Sequence, residues 1–466
     1  MFDNTFNKSF GDHRLDVRGE NLIRSLFIGG SHSVRGVSAS YSDQKGSYRF
    51  LENERTTTEA IVCSMAGRCG NTVKGRVVLS LQDTTDINVY DHRNRIRHDS
   101  SIGLTNAPKN GLGFMLHPSL VIDAVNGFPY GFGHVHIYNR ALQREPKESR
   151  NKHLYKSLSI EEKESNKWLL SSQATKESLN QAETVIIIQD REGDIYEQFA
   201  RIPDEKTHLI IRAKSNRALP EGKRLFDKVR SCPVAGTYSL QIDGDKRKNQ
   251  KRRIAPMELR FTEVEIKNNS RTAVDAARTV KLWCVEATEA GVEKGICWRL
   301  LTTLPITNVD YAMMVVDWYS WRWMIEEVFR ILKKEGFNIE ASELGTGTAI
   351  KKLALLILDA IVRIFQMRIA YEIDQEGVMP ASMTFDQEEQ KCLEEQCKLL
   401  EGKTEKQKNP YPKSTLRFAT WVIARIGGWK GYAWERKPGL TTLWLGLKRF
   451  FNICAGFRLA RDVYTR

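Results

Sequence analysis

Between residues 75 and 215 the chain carries short apolar runs broken by polar or glycine-bearing turns, a rhythm that predicts strands. Val77-Val78-Leu79-Ser80-Leu81, Ile87-Asn88-Val89-Tyr90, Ser119-Leu120-Val121-Ile122 and Gly133-His134-Val135-His136-Ile137-Tyr138 read as a meander. A helix over about 165 to 181 leads into Val185-Ile186-Ile187-Ile188, where the absence of polar alternation predicts a strand buried on both faces. A helix starting near Asp194 and the strand Leu209-Ile210-Ile211-Arg212 complete a mixed α/β core. Strand patterns return from about 218 to 305, as in Tyr238-Ser239-Leu240-Gln241-Ile242 and Val280-Lys281-Leu282-Trp283-Cys284, and predict an inserted β subdomain.

Flanking this region the period lengthens. Residues 1 to 70 predict short helices, one of them over 57 to 65. One long amphipathic helix is expected over 309 to 334, and further helix over 350 to 371. The Glu, Gln and Lys rich stretch from 386 to 413 reads as a mobile connection or a solvated helix. An aromatic helical tail with Trp421, Trp429, Trp434 and Trp444 follows. Three domains are therefore expected: 1–70, 71–385 and 386–466.

Charge narrows the class. The 466 residues hold 71 Lys and Arg against 57 Asp and Glu, a formal net charge of +14 that favours a polyanionic partner. A hydrophobic content of 41% excludes a mostly disordered chain. The surplus is not in residues 1 to 70, where nine basic residues meet eight acids. It gathers at Arg93, Arg95 and Arg97, at Arg212, Lys214 and Arg217, and at Lys246, Arg247, Lys248, Lys251, Arg252 and Arg253. Eight scattered cysteines without a CxxC pair point to reduced thiols rather than a zinc ribbon or disulfide framework. The greasiest segment, 353 to 367, is interrupted by Asp359 and Arg363, so no membrane span is expected and a cytoplasmic protein is. Gly345-Thr346-Gly347-Thr348 lacks the ending of a phosphate-binding P-loop, so no nucleotide cofactor is expected.

Two acids follow predicted strands: Asp83 in Gln82-Asp83-Thr84-Thr85 and Asp190 in Gln189-Asp190-Arg191-Glu192-Gly193-Asp194. Strand carboxyl ends are where α/β sheets build sites, and a few oxygen ligands there suit Mg²⁺. An Asp in that position is also an ordinary turn or helix cap. On the long predicted helix, Tyr319, Arg322, Glu326 and Lys333 stand at offsets 0, 3, 7 and 14, within an arc of about 60° at about 100° per residue. They form one polar stripe, which on spacing alone is equally a solvated helix side.

In these residues the chain resembles the DDE transposases of bacterial cut-and-paste insertion sequences, whose third acid lies in a Y, R, E, K signature. Here that signature is Tyr319-(2)-Arg322-(3)-Glu326-(6)-Lys333. The likeness extends to Asp83-Thr84-Thr85, to Asp190-Arg191-Glu192-Gly193-Asp194-Ile195 and to Ile423-Ala424-Arg425-Ile426-Gly427-Gly428, and is greatest to the "Tn-five" transposon type. It implies an RNase H-like core with Asp83, Asp190 and Glu326 as catalytic acids holding two Mg²⁺ ions, with Mn²⁺ as a substitute. It also implies phosphate contacts by Tyr319, Arg322 and Lys333, stacking of a flipped base on Trp298, and contacts to end DNA by Arg212 and Lys214.

Residues 1 to 70 are similar to the family's end-recognition domain, around Tyr48-Arg49-Phe50-Leu51-Glu52-Asn53. The C-terminal helices are similar to its dimerisation domain. The implied partners are double-stranded DNA, as transposon-end inverted repeats and target, and a second copy of the chain. A metal-dependent endonuclease that cuts without joining, and a catalytically silent DNA-binding protein, stay open beside the transposase. His134 and His136 share a strand face without a third ligand at suitable spacing, so a buried or hydrogen-bonded pair is expected rather than a metal site.

Overall fold

The computed structural model describes residues 5–97, 99–107, 111–142, 158–242, 251–268, 277–293, 295–334, 336–374, 379–432 and 437–464. The basic residues Lys246, Arg247 and Lys248, and Trp434, lie outside the described residues.

Among the described residues eleven strands form one continuous sheet. Within it β1 (Val77–Gln82) is flanked on one side by β4 (Leu112–Asp123), antiparallel, and on the other by β6 (Thr184–Gln189), parallel. Beyond β4 lies β5 (Pro129–Tyr138), and beyond β6 lies β7 (Thr207–Arg212), again parallel. The short strands β2 (Thr85–Asn88) and β3 (Gly103–Leu104) also pair with β4. The core is thus mixed α/β, as the apolar runs predict. β1 and β6 are buried at five of their six positions, because helices cover both sheet faces.

The later β segment, β8 (Gly236–Ile242), β9 (Arg253–Lys267), β10 (Thr279–Glu289) and β11 (Cys297–Thr302), extends the same sheet. β11 pairs with β7 through Leu300 opposite Arg212 and Leu301 opposite Ile211, and each later neighbour is antiparallel.

Four helices precede the sheet: α1 (His13–Gly29), α2 (Val34–Val37), α3 (Tyr41–Glu52) and α4 (Thr58–Thr72). Between strands come α5 (Asn166–Ser178), α6 (Tyr196–Arg201) and α7 (Leu225–Arg230). The expected single helix over 309 to 334 is two helices, α8 (Val309–Ser320) and α9 (Trp323–Lys333). At the junction Arg322 N–H donates to Tyr319 O, Met324 N–H to Trp321 O and Ile325 N–H to Arg322 O, at 3.1, 2.9 and 3.2 Å. These three-residue steps tighten the backbone, although Trp321 and Arg322 keep right-handed helical angles. The uniform 100° rotation assumed for the polar stripe therefore does not run through it.

The spine of the molecule is α10 (Gly347–Ile373), buried along nearly its whole length. Its charged exceptions tie down the N-terminal helices. Lys352 Nζ donates to Leu51 O and Asn53 O at 2.9 and 2.8 Å, and Asp359 accepts two hydrogen bonds from Arg68. The stretch after residue 386 is a packed helix, α11 (Gln387–Leu400), not a mobile connection. Asp386 and Glu389 form a reciprocal cap at its start, and Cys392, Leu393 and Cys397 are buried. Helices α12 (Leu416–Ile426) and α13 (Leu440–Tyr464) close the chain. Among the described residues no helix is long and apolar enough to cross a membrane.

Candidate active site

Parallel pairing of β1 with β6 puts Leu81 opposite Ile188, so Gln82 and Gln189 come next to each other and Asp83 and Asp190 leave the sheet at the same end. Both glutamines are fully buried. Gln189 Nε2 donates to Gln82 Oε1 at 2.8 Å and to Ser172 Oγ at 3.0 Å, and Gln198 Nε2 donates to Gln189 Oε1 at 3.1 Å. A buried amide left unpaired costs more than the bond contributes, so this cluster fixes strand register just beneath the two acids.

The same strand end brings in the basic and aromatic candidates. β7 ends at Arg212, which donates to Cys297 O at 3.0 Å. Trp298 follows on β11, and its ring meets Tyr319 edge to face at 5.4 Å. Tyr319 is only 4% exposed, so it does not lie on a solvated stripe; the indole and the helix junction cover it. Lys214 is exposed, and its backbone N–H donates to Asp194 Oδ2 at 2.7 Å. Asp194 also pairs with Arg217. Lys333 Nζ lies 3.1 Å from Asp86 and 3.2 Å from Glu340.

Arg322 is the hub. Its Nη1 donates to Asp83 Oδ2 at 2.6 Å and its Nη2 to Glu326 Oε1 at 2.8 Å. Asp83 also accepts from Thr84 N–H at 2.7 Å, and Thr84 Oγ1 lies 2.8 Å from His117 Nδ1. Asp190 caps the short turn after β6, accepting from Glu192 N–H at 2.8 Å. Burial pushes the Asp83 carboxyl up to about 6; Arg322 pulls it down, while Asp190 and then Glu326 push it up again. Asp83 therefore feels the charge of both other acids across the site.

That electrostatic state tests whether the residues fit a divalent metal. The donors are hard carboxylate oxygens, the ligand type that suits Mg²⁺ or Mn²⁺. Among the described residues no three His, Cys, Asp or Glu side chains are gathered in a metal-holding arrangement, and Arg322 bridges Asp83 and Glu326. The residues that would hold the metal are Asp83, Asp190 and Glu326. His134 and His136 are stacked at 6.4 Å, and burial lowers the pKa of both.

Sequence reasoning missed Trp323. It is 61% exposed and stands on α9 one residue after Arg322 and three before Glu326. Its position directly after the signature arginine was the available signal. Asp86 and Glu340 were missed as well, since no motif marks them.

Fold and site together define a mixed α/β protein with three carboxylates and a basic, aromatic rim at one sheet end. Residues 171–363 match the family model described as a transposase DDE domain, a span that includes Asp190, Tyr319, Arg322, Glu326 and Lys333 and begins after Asp83. The match supports placement with the DDE transposases, enzymes that process nucleic acid and generally depend on divalent metal. Among solved structures the chain is similar to the piggyBac transposase of a cryo-EM synaptic complex with hairpin DNA, at 11% identity and a TM-score of 0.31. That likeness covers 64% of this chain and 48% of the other, so the chain spans about half the length of that protein. At such a score it adds nothing to the fold described above.

Proposed function

We propose that this protein is a cut-and-paste DNA transposase with an RNase H-like core, in which Asp83, Asp190 and Glu326 act as one metal-binding unit. The observation that carries the reading is the convergence of Asp83 and Glu326, 243 positions apart by number (326 − 83), on Arg322 beside the strand end that bears Asp190. Bound there, Mg²⁺ or Mn²⁺ would polarise the scissile phosphate and the attacking water or 3′-hydroxyl.

The chain's own residues supply the rest. Arg322 presents a planar fork suited to a phosphate, and Lys333 a point charge oriented by Asp86 and Glu340. Arg212 and Lys214 extend the positive rim along β7 toward the neighbouring duplex. Trp298, backed by Tyr319, and the exposed Trp323 offer stacking surfaces for a base leaving the helix when the transposon end is closed as a hairpin. Resemblance to the "Tn-five" type assigns end recognition to residues 1–70 and pairing of two subunits to residues 386–466.

The test is incubation with Mg²⁺ and DNA carrying the inverted repeats that flank its gene. A hairpin-ended excised fragment and its insertion into plasmid are expected, and neither with Glu326→Ala. Cleavage without insertion would leave a nuclease, and specific binding without either product a silent DNA-binding protein.

A further inference from the structure

The acids and the arginine of the proposed site hold one another in a way that couples two ligands. Arg322 bridges Asp83 and Glu326 at 2.6 and 2.8 Å, so the two carboxylates a divalent ion needs are engaged by a side chain of the protein itself. Its guanidinium is 14% exposed and Asp83 is 19% exposed, so water screens the pair weakly. Loss of a proton offers no release, since a guanidinium stays charged in proteins. The surrounding Asp83, Tyr319 and Glu326 favour that charge against the cost of burial. A competing anion can draw it away.

The surroundings specify which anion. Arg212 stands at the adjoining strand end, and exposed Trp323 follows Arg322 directly. A cationic fork that shares Tyr319 with a second arginine and lies by the Tyr319 and Trp298 rings suits a phosphodiester with a neighbouring base. Resting on the three-acid reading, we infer that Arg322 is an internal counter-ion that a DNA phosphate draws off, so that DNA and divalent metal bind cooperatively. Without DNA, Arg322 competes for Asp83 and Glu326. With DNA it turns to the phosphate, and the freed carboxylates take the metal more tightly. By linkage, metal must raise the affinity for DNA by the same factor.

Mn²⁺ binding, followed through loss of the free-ion paramagnetic resonance signal, tests this without any turnover. The samples are the full chain alone, with a duplex bearing the flanking inverted repeat, and with inorganic phosphate. Wild type should bind Mn²⁺ about tenfold more tightly with the duplex. Arg322→Gln should bind it more tightly than wild type without DNA and gain less than about twofold from the duplex. Arg322→Lys, which keeps the charge but not the fork, should fall between them and serves if the glutamine variant does not fold. Equal wild-type affinity with and without duplex would overturn the coupling, as would Arg322→Gln binding no better than wild type. An equal gain from inorganic phosphate alone would overturn the requirement for a duplex. Asp83→Asn separates the two readings: Mn²⁺ binding equal to wild type would defeat the three-acid site itself, whereas loss of binding with no duplex effect in wild type would defeat only the coupling.

Discussion

Gln82 and Gln189, the residues immediately before the two strand-end acids, share a buried hydrogen bond of 2.8 Å between adjacent parallel strands. Gln189→Leu removes that bond together with those to Ser172 and Gln198, three buried hydrogen bonds in all, and leaves Gln82, Ser172 and Gln198 only the bonds they make to one another. A cost of about 1–3 kcal/mol is expected, seen as a lower Tm. Because Asp83 and Asp190 are the next residues along, the variant should also bind Mn²⁺ more weakly at temperatures where it remains folded. Unchanged metal affinity would mean that the acids do not take their spacing from this cluster.

One buried histidine, His117, and two half-buried ones, His134 and His136, set an acid limit on the fold. Burial lowers His134 to about 4, with His136 pushing the same way and Glu177 opposing, and His117 and His136 are lowered too. A base depressed in the folded state is protonated first in the unfolded chain. Stability is therefore complete above the ordinary histidine range near 6.5 and is lost as pH falls from there towards about 4. The fall in Tm between pH 7 and pH 5 should shrink in His134→Leu, and an unaltered fall would contradict this assignment.

Trp298 and Trp323 differ in what surrounds them, so their alanine variants should differ. Trp298 packs on Tyr319, and its removal should lower both Tm and hairpin formation. Trp323 is 61% exposed, so Trp323→Ala should leave Tm unchanged while weakening the flipped-base complex by about 1–3 kcal/mol. A base analogue that brightens on unstacking, placed near the transposon end, reports the difference. Full brightening in both variants would remove the tryptophans from the mechanism.

Arg212 and Lys214 are expected to act on DNA mainly as charges. Each alanine variant should weaken duplex binding and reduce the slope of log affinity against log salt by about one. An unchanged slope in both would place the duplex elsewhere on the protein.

The strand ends that carry Asp83 and Asp190 were legible because the runs before them, Val77 to Leu81 and Val185 to Ile188, are apolar enough to require a buried sheet. The break at Trp321 and Arg322 was not, because neither proline nor glycine marks it and both residues keep helical angles. At 386 to 413 charge predicts a mobile connection or a solvated helix; 387–400 is a helix docked on one face by the capping pair Asp386 and Glu389 and the buried Cys392, Leu393 and Cys397, while 401–413 is exposed or half-buried. The family resemblance, not the spacing, marks Arg322 as a DNA contact. Its hold on Asp83, 239 residues away, belongs to tertiary structure and has no local signature.

Nicking at the transposon end by Asp83→Asn, Asp190→Asn, Glu326→Gln and the triple variant, each compared with wild type at matched folded fraction, tests most directly whether the three acids form one catalytic unit. Each single variant should fall to the background reached by the triple, since groups that act as a unit are not additive. Any single variant that still nicks at the wild-type rate would contradict the site.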